Sequence, residues 1–411
     1  TGEQRYKDEA LLLVDQVHRI LGQHRSDDPR SGWISGLDNR EGELHPTIGG
    51  LRIGKKRNER KFDAPYNDRL EWEQDGQYFH YLTKWVHALN LVTQVTGDYR
   101  YNRWALELAK TAHSRFVYTT SANEKRMYWK MSIDLSHPLV PSMGQHDALD
   151  GYITYLQLLS TASRDTQPSH EPNLEREITE MAEMVQTVNW ATDDPLGIGG
   201  LLTDAFMLTR LLLSDNMASL CDMLSKLLIH AKSGIDAFMR TDTLRYPPHY
   251  RLAFRELGLS IGLHAVERMK QLFIEYAERF TDCHLLQSQL GELEAYLPLC
   301  EIIENFWLKP ENQQSSTWND LPYKFEAGTP AIVQAIDTVC GRVVETESEQ
   351  WLKRHIGVRT VPGGTQTLPA GRERLRRMGF PHSRRLQSRR SSRRLKRRPR
   401  WNYWVLPVCS G

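Results

Sequence analysis

Three times in this chain a cluster of aromatic and acidic residues stands directly ahead of an apolar helical stretch. Met143-Gly144-Gln145-His146-Asp147-Ala148-Leu149-Asp150-Gly151 leads into Tyr152–Ser160. Glu71-Trp72-Glu73-Gln74-Asp75-Gly76 precedes Gln77–Val95, and Trp190-Ala191-Thr192-Asp193-Asp194-Pro195 precedes Leu196–Leu213. A single Asp at a helix start is an ordinary N-cap, because the first N–H groups lack partners and the helix dipole favours an anion there. Three such clusters, each with Trp, Tyr or His beside the acids, point to one site assembled from several helix ends.

The rest of the chain supplies the helices. Glu9–Leu21 carries apolar residues at the 3.6-residue period, and Gln77–Val95 is a second helix that Gly97 stops. Tyr99–Tyr118, Ala148–Ala162, Glu175–Val188, Leu196–Leu213, Asn216–Phe238, Tyr250–Phe280 (with an interruption) and Leu285–Trp307 complete the series. Acid-rich loops open the second, fourth and sixth of these helices and never the odd ones. A ring of helical hairpins produces that alternation, with inner helices starting at one rim and outer helices returning the chain. The expected fold is therefore all-α, an (α/α)6 toroid. Strand pattern is confined to Arg126–Leu135, which puts Met127, Trp129, Met131, Ile133 and Leu135 on one face and Arg126, Tyr128, Lys130, Ser132 and Asp134 on the other. Gly50–Lys55 is a shorter candidate to pair with it, making a small β element that turns a polar face to a cavity.

Five blocks carry a family resemblance: Gly50–Lys55, Asp75–Trp85, Arg126–Asp134, Met143–Asp147 and Trp190–Gly200. Together they resemble an uncharacterised family of the six-hairpin glycosidase-like, or (α/α)6-toroid, superfamily, over roughly residues 5–340. That superfamily includes glycoside hydrolases working with paired carboxylates and epimerase-like enzymes working with histidines. The resemblance implies a toroid and a carbohydrate or sugar-like small molecule as partner, and leaves the chemistry open.

The residues themselves offer both chemistries. Glycoside hydrolysis needs one protonated carboxyl and one carboxylate about the scissile bond, and Asp75, Asp147, Asp150 and Asp194 are the supply. Within that set Asp147 is preferred as the working acid, with Asp194 and then Asp75 as its partner. His80, Lys84 and His87 fall on one helix face, and a His such as His80 or His146 suits proton transfer beside a carbonyl. Arg52, Glu71, Lys84, Lys130 and Arg255 are candidates to bind polar groups of a substrate, and Trp72, Tyr78, Tyr128 and Trp190 to pack against a sugar face. A non-catalytic carbohydrate- or protein-binding toroid is the remaining alternative. His146 and Asp150 make two metal ligands without a third, so neither metal nor other cofactor is expected.

Composition sets the outer limits. With 411 residues, 40% apolar and 25% charged, the chain is long enough for a large core. No uninterrupted run reaches the roughly 18 apolar residues of a membrane span, so no membrane partner is expected. Five scattered cysteines (221, 283, 300, 340 and 409) suggest buried thiols in a reducing, cytoplasmic setting. The net charge of +2 hides an asymmetry: 14 Lys/Arg against one acid between Arg372 and Arg400, a local +13 that leaves −11 elsewhere. Residues 1–347 are thus expected to form the toroid, incomplete at its end. Residues 348–411 read as a basic, disordered or aberrant tail, the one part with a charge suited to nucleic acid.

Overall fold

The computed structural model describes residues 4–165, 173–215, 220–281 and 283–314. The expected tail and the boundary at residue 348 lie outside them. Helix dominates: α1 (Gln4–Leu21), α2 (Asn39–Leu44), α3 (Asp68–Glu73), α4 (Phe79–Thr96), α5 (Arg100–Phe116), α6 (Asp147–Ala162) and α7 (Glu175–Thr187) come first. Then follow α8 (Pro195–Asp215), α9 (Cys221–Met239), α10 (Ala253–Glu275), α11 (His284–Glu294), α12 (Pro298–Trp307) and the short α13 (Pro310–Gln313). Gly97 ends α4 in the left-handed conformation at φ 73°, its N–H returning to the Thr93 carbonyl at 2.8 Å. That is the stop its sequence position predicts.

Helices α4, α6 and α8 are apolar on most of their circumference, so each must be covered by neighbours on several sides. Side-chain pairs fix their directions. Lys84 meets Asp150, His87 meets Gln157 and Gln94 meets Thr161, so numbers rise together and α4 and α6 run parallel. Asp194 meets Arg255 at the start of α8 and α10. One turn further, a Cβ on Gly199 would sit 2.0 Å from the Gly258 carbonyl oxygen, and one on Gly262 would sit 2.7 Å from the Gly199 Cα. Parallel α8 and α10 therefore touch backbone to backbone, and glycine is required at the crossing. Helices α5, α7 and α9 each pack against the helix before them. Helix α12 instead runs against α10, with Trp307 on Glu256 and Glu304 on Ser260 and His264.

Several expectations need correction. Leu285–Trp307 is not one helix: the chain breaks at 295–297, and Pro298, with no N–H to give, restarts it as α12. Gly50–Lys55 forms no strand. Its place is taken by β1 (Gln77–Tyr78), while β2 (Val117–Thr119) pairs with β3 (Lys125–Met127). The segment 126–135 is not one strand, because its second half turns away as β4 (Lys130–Met131), between β1 and β5 (Pro138–Val140). Both faces of β4 are buried. Gly76, at φ 152°, leads into β1 where a Cβ would lie 2.7 Å from the Met131 carbonyl oxygen and 2.8 Å from the Lys130 Cε.

The cysteine reading changes too. Cys221 and Cys283 form a disulfide joining the starts of α9 and α11, and Cys300 is a buried free thiol. The expectation of buried free thiols therefore holds for Cys300 and not for this pair. Among the described helices, Pro195–Ser214 alone is long and apolar enough to cross a membrane, and it is mostly buried in the fold.

The bond closes a 62-residue separation, for which chain entropy predicts about 4 kcal/mol of stabilisation. Reduction, or Cys221→Ser, is expected to lower the urea-unfolding free energy on that scale. Unchanged unfolding curves would contradict it.

Candidate functional site

The acids and bases singled out in the sequence separate into two charge networks. One is structural in form. Asp75 is fully buried, and its carboxylate accepts from Arg52 Nη1 at 3.0 Å, from the Gly54 N–H at 2.6 Å and from the Gly76 N–H at 3.0 Å. Arg25 adds a second guanidinium at 3.6 Å. Arg52 also donates to the carbonyls of Gln23 and Ile20, tying α1 to this loop. Beside it the Lys130 ammonium, with no exposure, donates to the Glu71 carboxylate at 2.7 Å and to the carbonyls of Glu71 and Gln74. Arg60 holds the other Glu71 oxygen at 2.8 Å, and the Tyr78 ring lies 5.2 Å from the ammonium. Burial still pulls the Lys130 pKa down, with Glu71 opposing. Lys55 is depressed to about 7 by burial and by Lys130. Asp75, Arg52, Glu71 and Lys130 therefore spend their polar groups on one another and on neighbouring backbone, with the Tyr78 ring packed beside the ammonium.

The second network lies where α4, α6 and α8 face each other. The Lys84 ammonium is 2.9 Å from the Asp150 carboxylate. Asp147, at the first position of α6, accepts the Gly144 N–H at 3.1 Å. Burial first and the Asp150 charge second raise its pKa to about 7, against the pull of that N–H and of Lys84. Asp204, mid-way along α8 and 3% exposed, is driven well above the ordinary carboxylate value by burial and by Asp150. Burial lowers His80 and His87 to about 4, so both imidazoles are neutral at pH 7. His146 is lowered as well, with its Nε2 3.0 Å from the Trp190 carbonyl oxygen.

The geometry follows from helix periodicity. His80 and His87, Asp150 and Gln157, and Asp204 and Leu211 are each seven apart, two turns along one face. Their second members line a cavity of about 80 Å³ with Asn90, Gln94 and Arg210. A layer of charge and a small void are thus stacked along the line shared by three parallel helices.

The remaining predicted residues frame this layer. Asp194 accepts the Gly197 N–H at 3.3 Å and the Arg255 guanidinium at 2.6 Å, so it acts as a cap and ion-pair partner. Trp190 is buried and meets His230 edge-on at 5.7 Å, which hides its face from a ligand. Tyr128 stacks on Tyr118 at 4.3 Å. Trp72 is 43% exposed, lies 5.2 Å from Trp129, and Trp129 lies nearly parallel to His80 at 6.1 Å. An aromatic edge therefore leads from the surface to His80. Asp204 was missed in the sequence because it sits inside an apolar helix, away from any helix start. Its one signal is that a carboxyl breaks an otherwise apolar run. Among the described residues no group of three or more His, Cys, Asp or Glu is arranged to hold a metal. Comparison with protein-family models, curated proteins and solved structures finds no match.

Two measurements separate the networks. Removing one partner of a buried ion pair leaves the other uncompensated, at about 3–5 kcal/mol. Asp75→Asn is expected to cost on that order in urea unfolding, and a loss below about 1 kcal/mol would contradict the structural assignment. Asp147 behaves oppositely. Its native pKa of about 7 exceeds the ordinary 3.8, so between these values the folded state binds more protons and stability falls as pH rises. Asp147→Asn is expected to flatten that fall, on the order of a few kcal/mol, between about pH 4 and pH 7. An unchanged pH profile in the variant would refute the assignment.

Proposed function

We propose that this protein is a carbohydrate-active enzyme, a glycoside hydrolase in which Asp147 is the acid and Asp150 the paired carboxylate. The observation that carries the reading is the contrast between these two groups. Asp147 is buried, accepts the Gly144 N–H and has its pKa raised to about 7, while Asp150, three residues on, forms an ion pair with Lys84. Neighbouring carboxyl groups in unlike protonation states are what glycosidic cleavage requires. Asp147 would protonate the departing oxygen, and Asp150, oriented by Lys84, would serve as base or nucleophile. This moves the partner role from Asp194, whose carboxylate is taken by Arg255 and the start of α8.

The fold reading belongs with it. Parallel α4, α6, α8 and α10, with α5, α7 and α9 each returning the chain, suit consecutive inner and outer helices of an (α/α)6 toroid. The resemblance of Asp75–Trp85, Met143–Asp147 and Trp190–Gly200 to the six-hairpin glycosidase-like superfamily points the same way. Trp72 and Trp129 would offer aromatic surface to the C–H faces of a sugar. A second reading, sugar epimerisation, is favoured by one observation: His80 is a neutral imidazole in the field of Asp150 and Lys84, as a proton-abstracting base must be.

A panel of aryl glycosides and oligosaccharides, with products separated by chromatography, tests the choice. Asp147→Asn and Asp150→Asn should each lower turnover at least ~100-fold. Wild-type activity should decline as pH rises past about 7, where Asp147 loses the proton it must donate. If both variants keep full activity and His80→Ala abolishes it, hydrolysis is wrong and epimerisation takes its place.

A further inference from the structure

The cavity between the last turns of α4, α6 and α8 takes no part in the roles assigned above. It measures about 80 Å³, where one water needs about 10–15 Å³, so it has room for several waters or one small ligand group. Helix periodicity explains its polarity. His87 and Asn90 on α4 are three apart, as are Gln157 and Ser160 on α6, and each pair therefore turns to one side of its helix. Arg164 follows Ser160 by four, just past the end of α6, and Arg210 comes from the second-last turn of α8. Internal hydrogen bonds decide what these side chains can still offer. His87 Nδ1 lies 3.0 Å from Gln157 Oε1, an atom that only accepts, so the ring nitrogen carries the proton. Asn90 Oδ1 accepts from Asn102 Nδ2 at 3.3 Å. With both amide oxygens taken, Gln157 and Asn90 bring N–H donors to the cavity wall. Arg164 Nη2 donates to Ser160 Oγ at 3.4 Å, which sets its guanidinium beside the same wall. The Arg210 charge is close enough to His87 to help depress its pKa. No Asp or Glu stands among the described lining residues. The carbonyl ends of three helices alone would favour a cation here, and two guanidinium groups with several neutral donors reverse that preference. Arg164 and Arg210 are both exposed, so the cavity meets the surface at these two side chains.

We propose that this cavity binds a tetrahedral oxyanion, either free phosphate or the phosphate group of a small ligand. Arg164 and Arg210 approach from the ends of α6 and α8 and pair with phosphate oxygens through charge-assisted N–H···O bonds. The buried amides of Asn90 and Gln157, with the Ser160 hydroxyl, donate to the oxygens that lie deeper. A carboxylate carries two oxygens on one edge and cannot meet donors converging from three helices, whereas a phosphate presents oxygens in every direction. Binding breaks no covalent bond, and the anion exchanges hydrating water for these donors. Two turns of α6, about 10 Å, separate Gln157 from Asp150, so a phosphate held here stands apart from the acids assigned to chemistry. The site is independent of the glycoside-hydrolase reading and would stand if that reading failed.

Calorimetric titration of the full chain with sodium phosphate, methyl phosphate and sodium acetate tests this, at about pH 7 and a constant ionic strength of about 0.15 M that screens surface charge. Inorganic phosphate should bind saturably at one site per chain, at least ~10-fold more tightly than acetate. Arg210→Gln and Arg164→Gln, both at exposed positions, should each weaken phosphate at least ~10-fold with the fold intact by circular dichroism. Arg126→Gln, an exposed charge on β3, should leave phosphate affinity unchanged. Methyl phosphate binding as tightly as inorganic phosphate assigns the site to a phosphate ester, and its exclusion assigns it to the free anion; either result keeps the proposal. Absence of saturable phosphate binding, acetate binding of equal strength, or phosphate affinity undiminished in either Arg164→Gln or Arg210→Gln overturns it. The two guanidinium groups would then serve only to offset the helix ends.

Discussion

Among the described residues the Lys84 ammonium pairs with Asp150, and two further buried acids from α6 and α8, Asp147 and Asp204, lie in the field of that pair, so carboxyl groups outnumber the ammonium there. That imbalance governs the centre of the molecule. Removing a carboxylate from water is costly unless a cation or several N–H groups replace the water. Lys84 satisfies Asp150 at 2.9 Å, while burial and the Asp150 charge push the pKa of Asp147 up to about 7 and that of Asp204 well above the ordinary carboxylate value. The parallel course of α4, α6 and α8 makes the arrangement repeat: each position seven further along brings another facing set together, ending in the His87–Gln157 pair and the void beside it. A hydrophobic core would be more stable at this place. Retaining titratable groups there is the physical reason to regard it as the working part of the protein.

The network around Asp75 and Lys130 is a useful contrast. It contains as many charges and is at least as deeply buried, yet every oxygen and ammonium in it has matched partners, including backbone N–H groups and carbonyls. It ties α1, α3, the glycine-bearing loop and β4 into one unit. The two networks differ in what is left over. In the first, Asp75, Glu71 and Lys130 are fully taken up by one another and by backbone groups; in the second, Asp147 accepts the Gly144 N–H and Asp150 pairs with Lys84.

Much of the helical architecture was legible because the apolar period and the punctuating Gly97 act locally. The starts near residues 76, 148 and 195 emerged within a few positions for the same reason. Asp147, Asp150, His80 and Lys84 stood out because polar groups cluster at the starts of apolar helices. What could not be read depended on distant partners. Asp75 and Lys130 look like site residues until Arg52 and Glu71, far away in sequence, take up their charges. Asp204 sits at no helix end, and its weight comes only from the opposing faces of α4 and α6. The Cys221–Cys283 bond similarly depends on α9 and α11 being neighbours. The break before Pro298 was in the sequence, and an unbroken apolar period on both sides obscured it.

The central claim is that burial beside the Lys84–Asp150 pair raises Asp147 and Asp204 above the ordinary carboxylate range. Carbon-13 NMR of aspartate side-chain carboxyls reads this directly. At about pH 6 the resonance that vanishes in Asp147→Asn should keep the chemical shift of a protonated acid, and the one that vanishes in Asp204→Asn should titrate above the ordinary carboxylate range. If every aspartate carboxyl has instead lost its proton by about pH 5, the charge imbalance described here is wrong, and with it the chemistry built on it.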